Sequence, residues 1–162
     1  SRIIFLEGYL WDEGDPKTAF NKVFDHANII AMSMSDLFCV ERHKSSFLDL
    51  VKGKLDIIFG NEQEMISLIN AKKFDDVVEF CKTQKKLFII TRGGNGAISI
   101  NKNQVFECSA KNNLKILDLT GAGDLFASGY LHGYINHKPI ADCLELGTQM
   151  SSKIIQVLGA RL

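Results

Sequence analysis

No apolar run in this sequence approaches the roughly 20 residues that cross a bilayer as a helix, and no basic, apolar, small-residue succession opens it as a secretory leader would. Paired cysteines are missing too. Cys39, Cys81, Cys108 and Cys143 are scattered without a CxxC pair, so buried free thiols are expected rather than disulfides or a metal site, and the cytoplasm is the default location. Charge of one sign is absent: nineteen Lys and Arg balance nineteen Asp and Glu. That balance argues against nucleic acid and against a membrane surface as partners. It does not exclude a local anion site, because backbone amides often hold phosphates. The histidines His26, His43, His132 and His137 show no metal spacing; His26 and His43 fall on different predicted elements, and His132 and His137 stand five apart. No G-x-x-x-x-G-K-[ST] run occurs, which excludes a Walker-type phosphate loop.

What is present is the composition of a soluble globular domain, 46% hydrophobic and 23% charged, over 162 residues. Residues 3–6 are a short apolar run stopped by Glu7-Gly8, the pattern of a buried strand. Asp15-Pro16 offers an N-cap with proline at the first helical position, and the helix is predicted to run through Phe20, Val23, Phe24 and Ala27. Strands are predicted over 28–33, 55–59 and 87–91, and helices over 45–51, 62–70 and 75–83. Such alternation argues for parallel strands joined by helical crossovers. Residues 97–100 and 104–108 read as a hairpin around Asn101-Lys102-Asn103. Residues 115–117 read as one more short strand, and 123–136 and 140–158 as two closing helices. With no repeat, low-complexity tract or long linker, the expectation is one α/β domain over residues 1–162. Its sheet is predominantly parallel and flanked by helices, with a β-hairpin near 97–108. Ser1 leads directly into the first strand, as expected of a chain cut from something longer.

The chemistry concentrates in Asp118-Leu119-Thr120-Gly121-Ala122-Gly123-Asp124. Gly121, Ala122 and Gly123 let backbone approach a ligand closely, and a glycine-rich turn opening a helix presents unpaired amides and the positive end of the helix dipole. Asp124 at that helix start has two readings. It is an acid stabilising the dipole, or a base that takes a proton from a hydroxyl while the amides hold a transferring phosphate. Asn61-Glu62-Gln63-Glu64 follows a predicted strand, and by itself reads as a helix cap with acids in the first turn. Thr91-Arg92-Gly93-Gly94-Asn95-Gly96 lies between two predicted strands and by itself reads as a glycine turn. Arg92 either touches a phosphate or points to solvent.

These segments together resemble the PfkB/ribokinase family of small-molecule kinases. Asp118-x-Thr120-Gly121-Ala122-Gly123-Asp124 is similar to that family's D-x-T-G-A-G-D signature, with Leu119 where many members carry Thr. The resemblance implies that Gly121, Ala122 and Gly123 form an anion hole and that Asp124 is the catalytic base. Asn61 and Glu64 match the family's N-x-x-E motif, which implies a magnesium ion held through water. Thr91, Arg92, Gly93 and Gly96 match its T-x-G-x-x-G loop, which implies contact with nucleotide phosphates, joined by Thr120 and by Thr148 on the last helix. Several members place Asn where this chain has Thr148 and Gln149. Glu7-Gly8-Tyr9-Leu10-Trp11, Ser35-Asp36-Leu37-Phe38-Cys39-Val40 and the closing Gly159-Ala160-Arg161 resemble adenosine-kinase-like bacterial members.

The resemblance therefore implies a ribokinase-like fold and the C-terminal part of a kinase. Its donor is ATP with Mg2+, and its acceptor is a hydroxyl of a small sugar or nucleoside, adenosine-like favoured. A sugar kinase that does not use adenosine, and a catalytically incompetent nucleotide-binding fragment, are the alternatives. The family's acceptor-recognising segments and lid lie upstream of Ser1, so the isolated chain is expected to be inactive. A homodimer or edge-strand association is the assembly it allows.

Overall fold

The computed structural model describes residues 2–12 and 14–160; Ser1 and Arg161, each named above, lie outside the described residues. Among the described residues six strands and six α-helices follow in the order β1 Ile4–Glu7, α1 Pro16–His26, β2 Ile30–Ser33, α2 Leu37–Lys52, β3 Ile57–Asn61, α3 Glu62–Ile69, α4 Phe74–Thr83, β4 Leu87–Thr91, β5 Ala97–Asn101, β6 Gln104–Cys108, α5 Ala122–Ile135 and α6 Ile140–Ile154. The strands form one sheet in the order β1-β2-β3-β4-β5-β6. β1 pairs β2 in parallel, Ile4 opposite Ile30, and β2 pairs β3 in parallel, Ala31 opposite Ile57. The fold is the α/β architecture expected, a sheet with helices between its strands and a hairpin of β5 and β6.

By contact the chain divides into two compact units. One holds residues up to 90 with 100–104, the other 91–99 with 105–162. In the first unit β2 and β3 are apolar on both faces, with Ile30, Ala31, Met32, Ile57, Ile58 and Phe59 all buried. Strands covered on both sides lose the polar alternation of a half-exposed strand, and that is why these runs read as continuous apolar stretches in sequence. Asp15 caps α1 by accepting the Thr18 amide at 3.1 Å, with Pro16 at the first position. Half-buried Trp11 packs edge-on against the core ring Phe20, ring centroids 4.8 Å apart.

In the second unit α5 lies against α6 with little between the backbones. A Cβ on Gly129 would come 2.7 Å from the Leu146 carbonyl oxygen, and one on Gly147 would come 2.9 Å from that of Phe126. Substituting either glycine would push the helices apart. Phe126 and Tyr130, one turn apart, fill the apolar face of α5, and the Tyr130 hydroxyl shares a 3.1 Å hydrogen bond with that of Ser99. Burial pushes the Tyr130 phenol well above its usual range.

Three elements differ from the sequence expectation. α2 begins at Leu37, not 45, because Asp36 is an N-cap whose carboxylate accepts the Cys39 amide at 2.6 Å. It also departs from helical geometry at His43, with φ −117° and ψ 19°. Residues 115–117 are not a strand: the Leu117 amide donates to the Ile155 carbonyl at 2.8 Å, at the end of a helix rather than in a sheet. α6 stops at Ile154, where Ile155 caps it.

Candidate active site

Asp118 builds the turn that precedes α5. Its Oδ1 accepts the Thr120 amide at 2.9 Å and the Thr120 hydroxyl at 2.7 Å, and its Oδ2 accepts the Gly159 amide at 3.0 Å. These donors, the Thr120 hydroxyl foremost, hold the Asp118 carboxyl below the usual carboxylate range. A side chain bonded to the amide two residues on is an Asx turn, so the first residue of the motif fixes the conformation of the next two. Gly121 then takes φ +76°, and a methyl there would lie 3.1 Å from the Ala160 Cβ. Both the left-handed backbone and the neighbouring chain require glycine at this position.

Gly121 caps α5 without a side chain, so no side-chain acceptor satisfies the first turn. The resemblance implied an anion hole at Gly121, Ala122 and Gly123, and the turn itself unpaired amides at the helix start. The structure leaves two, because the Ala122 amide donates to the Leu119 carbonyl at 3.2 Å. Among the described residues no acceptor takes the amides of Gly123 or Asp124, the second and third of the helix. Two amides at the positive end of a helix dipole can receive an anion.

A cleft of about 580 Å³ in this second unit is lined by that turn and by the 91–96 loop. Thr91, Gly93 and Gly96 line it from the loop, Ala122 and Gly123 from the helix start, and Thr148 from α6. The loop is a short 3-10 turn closed by the Gly96 amide on the Gly93 carbonyl, 3.0 Å, and by the Arg92 amide on the Gly96 carbonyl, 2.7 Å. Gly96 has φ +85°, and a Cβ there would lie 2.0 Å from the Cys108 carbonyl oxygen, so no other residue fits. Asp124 is exposed and directly follows Gly123, outside the cleft lining. Thr120 and Gly121 belong to the turn without lining the cleft, and Arg92 is half-buried and does not line it.

Sequence reasoning missed part of this wall. Lys111, Asn112 and Asn113 line the cleft between β6 and α5, as do Ser151 and Ser152 on α6. Thr148, Ser151 and Ser152 recur three and four residues apart, the spacing of one helix face, and that signal was legible. Lys111 pairs with Glu145, which also accepts from Gln149 at 3.0 Å. Lys111, then Gln149 and Cys108, bring the Glu145 carboxyl down to about 2. The buried Thr148 hydroxyl donates to the Cys108 sulfur at 3.6 Å.

Asn61 and Glu64 lie in the first unit and form a reciprocal cap on α3. The Glu64 amide donates to Asn61 Oδ1 at 2.9 Å, while the Asn61 backbone amide and side-chain Nδ2 donate to the two Glu64 carboxylate oxygens at 2.8 and 2.6 Å. Glu64 is 4% exposed, and burial raises its pKa; the Asn61 amide opposes that rise, and the Asp36 charge adds to it.

The profile of the pfkB family carbohydrate kinases matches residues 1–162. The chain belongs to this family. A probable sugar kinase from Rhizobium etli CFN 42 superposes with a TM-score of 0.94 at 36% identity, over 99% of this chain and 50% of that one. An adenosine kinase from Sinorhizobium meliloti superposes with a TM-score of 0.96 at 34% identity, over 100% of this chain and 51% of that one. A cytidine kinase from Thermococcus kodakarensis is 29% identical over 67% of this chain and 40% of its own length. The chain thus spans about half the length of these two structures, and less of the curated relative.

Proposed function

We propose that this pfkB-family chain is the C-terminal, nucleotide-binding and catalytic part of an ATP-dependent kinase that phosphorylates a hydroxyl of a small sugar or nucleoside. The observation that carries the reading is the start of α5, where two amides without acceptors and the exposed Asp124 adjoin a cleft walled by the glycine loop. The glycine loop, with Thr120, receives the nucleotide phosphates, and Thr148 faces the rest of the nucleotide. Gly123 and Asp124 donate their amides to the moving phosphoryl group, and Asp124 accepts the proton of the acceptor hydroxyl. Phosphoryl transfer asks the protein mainly for positioning and charge stabilisation, which this arrangement supplies.

Magnesium, when bound, neutralises charge on the nucleotide oxygens. Asn61 and Glu64 fit an ion held through water. Each Glu64 oxygen accepts a hydrogen bond and retains a further lone pair, and a nearby cation offsets the burial that disfavours the ionised carboxylate. Glu64→Gln keeps the side chain's shape and one acceptor oxygen. It is expected to move the magnesium dependence of an intact kinase to higher concentration, while weakening folding by no more than a cap, roughly 0.5–2 kcal/mol. Activity against magnesium concentration, measured beside thermal unfolding, checks this; an unchanged magnesium curve leaves Glu64 as a structural cap.

Similarity to the Sinorhizobium meliloti adenosine kinase supports a nucleoside acceptor, and similarity to the Rhizobium etli probable sugar kinase supports a sugar. We favour an adenosine-like acceptor and a cytoplasmic setting. An intact kinase carrying this sequence, assayed with adenosine and with ribose, is expected to turn over adenosine with the higher kcat/KM. The reverse order assigns it to sugars, and turnover of neither rejects the adenosine-like reading.

A further inference from the structure

A second cluster of reactive side chains lies in the first unit and has no part in the kinase reading. Asp12 follows the 3-10 turn Gly8–Trp11, and Cys39 and His43 stand one helical turn apart on α2. A carboxylate oxygen of Asp12, the Cys39 sulfur and a ring nitrogen of His43 all lie within 4.8 Å of one another. We propose that Asp12, Cys39 and His43 bind a divalent cation of the zinc class.

The donor mix selects the metal. Calcium and magnesium take oxygen ligands, whereas thiolate with imidazole suits zinc and its cobalt substitute. Zinc–ligand bonds of roughly 2.0–2.3 Å set the donors of a tetrahedral site about 3.4–3.6 Å apart. The sides of the cluster, none wider than 4.8 Å, therefore close by no more than about an ångström on binding, while His43 Nε2 and Asp12 Oδ1, now 2.7 Å apart, separate slightly. His43 is where α2 departs from helical geometry, φ −117° and ψ 19°. Water supplies the remaining position, because the Asp12 and His43 side chains keep 29% and 22% of their exposure.

Two features oppose the metal, and both shape the expected behaviour. Arg42 donates to both Asp12 oxygens, Nε to Oδ1 at 3.1 Å and Nη2 to Oδ2 at 2.7 Å. A metal between His43 Nε2 and Asp12 Oδ1 leaves Oδ2 to Arg42. The Cys39 thiol is fully buried, and burial first, with the Asp12 charge next, pushes it up to about 11. It therefore holds its proton at neutral pH and must release it as the sulfur–metal bond forms, so affinity rises with pH. Spacing hid the site: Cys39 has no paired cysteine, and the third donor comes from a different element.

The test uses the full chain, stripped of metal by a chelator and titrated with cobalt(II). One ion per chain is expected, with sulfur-to-cobalt absorption in the near ultraviolet. The single tryptophan, Trp11, should be quenched beside it, and zinc should displace the cobalt. The dissociation constant should fall about tenfold per pH unit while the thiol is protonated. Cys39→Ser should abolish the near-ultraviolet band. Because that buried position risks the fold, the half-exposed His43→Gln and Asp12→Asn provide the second arm, each weakening cobalt by at least about tenfold. No saturable binding up to millimolar cobalt, or binding without the near-ultraviolet band and unchanged in His43→Gln, overturns the proposal. None of these readouts depends on kinase activity.

Discussion

Asp124→Asn in an intact kinase carrying this sequence should lower turnover by about a hundredfold to ten-thousandfold, the usual contribution of a general base. Nucleotide affinity should change little. Asn keeps the size and the backbone amide of the residue, so the two donors of the α5 start remain and only the proton acceptor is lost. Gly121, with φ +76° against Ala160, still fixes the turn. The exposed position of residue 124 also makes misfolding an unsuitable explanation for a loss of rate. Steady-state kinetics with a nucleotide titration of the same protein check the split. Turnover near that of the wild type removes Asp124 from the role and leaves it as an acid on the helix dipole, worth roughly 0.3–1 kcal/mol.

The second large effect concerns the chain by itself. Incubated with magnesium-ATP and either adenosine or ribose, it should release little or no ADP in response to the acceptor. The chain covers about half of each of the family structures described, 50% and 51%, and acceptor contacts and a lid are what we place in the remainder. Without them the hydroxyl is not held in line, and orientation is worth roughly 7–11 kcal/mol of barrier. β1 stands at one end of the strand order among the described residues, and an edge strand can template association with another copy. Light scattering on the same sample should therefore report species larger than a monomer. Acceptor-dependent ADP formation by a clean monomer would show the chain to be self-sufficient.

Much of this was legible in the sequence because its signals are local. Each buried strand is a short apolar run with a turn residue after it, and Asp15-Pro16 and Asn61-x-x-Glu64 cap their helices as their side chains dictate. The motif 118–124 is legible as a turn that opens a helix, because Asp118 caps the Thr120 amide and Gly121 takes a positive φ. What escaped depends on distance. The start of α2 is hidden because its cap, Asp36, is followed by Leu37-Phe38-Cys39-Val40, an apolar run without helical periodicity. Residues 115–117 have the β-rich look of a strand, but their partner is the Ile155 carbonyl. Asp12 reaches Arg42 and His43 only through folding, and Lys111 finds Glu145 the same way.

The account stands or falls on where a nucleotide binds. Amide proton–nitrogen spectra of the full chain, recorded while ADP is titrated with magnesium, read that directly. The largest shifts are expected at Gly93, Gly96, Gly123, Asp124 and Thr148, saturating together with one dissociation constant, while the amides of Ile30 to Ser33 stay in place. Saturation of the chain by ADP with the amides of Gly123 and Asp124 unmoved, or shifts confined to residues outside the 91–96 loop and the α5 start, contradicts it.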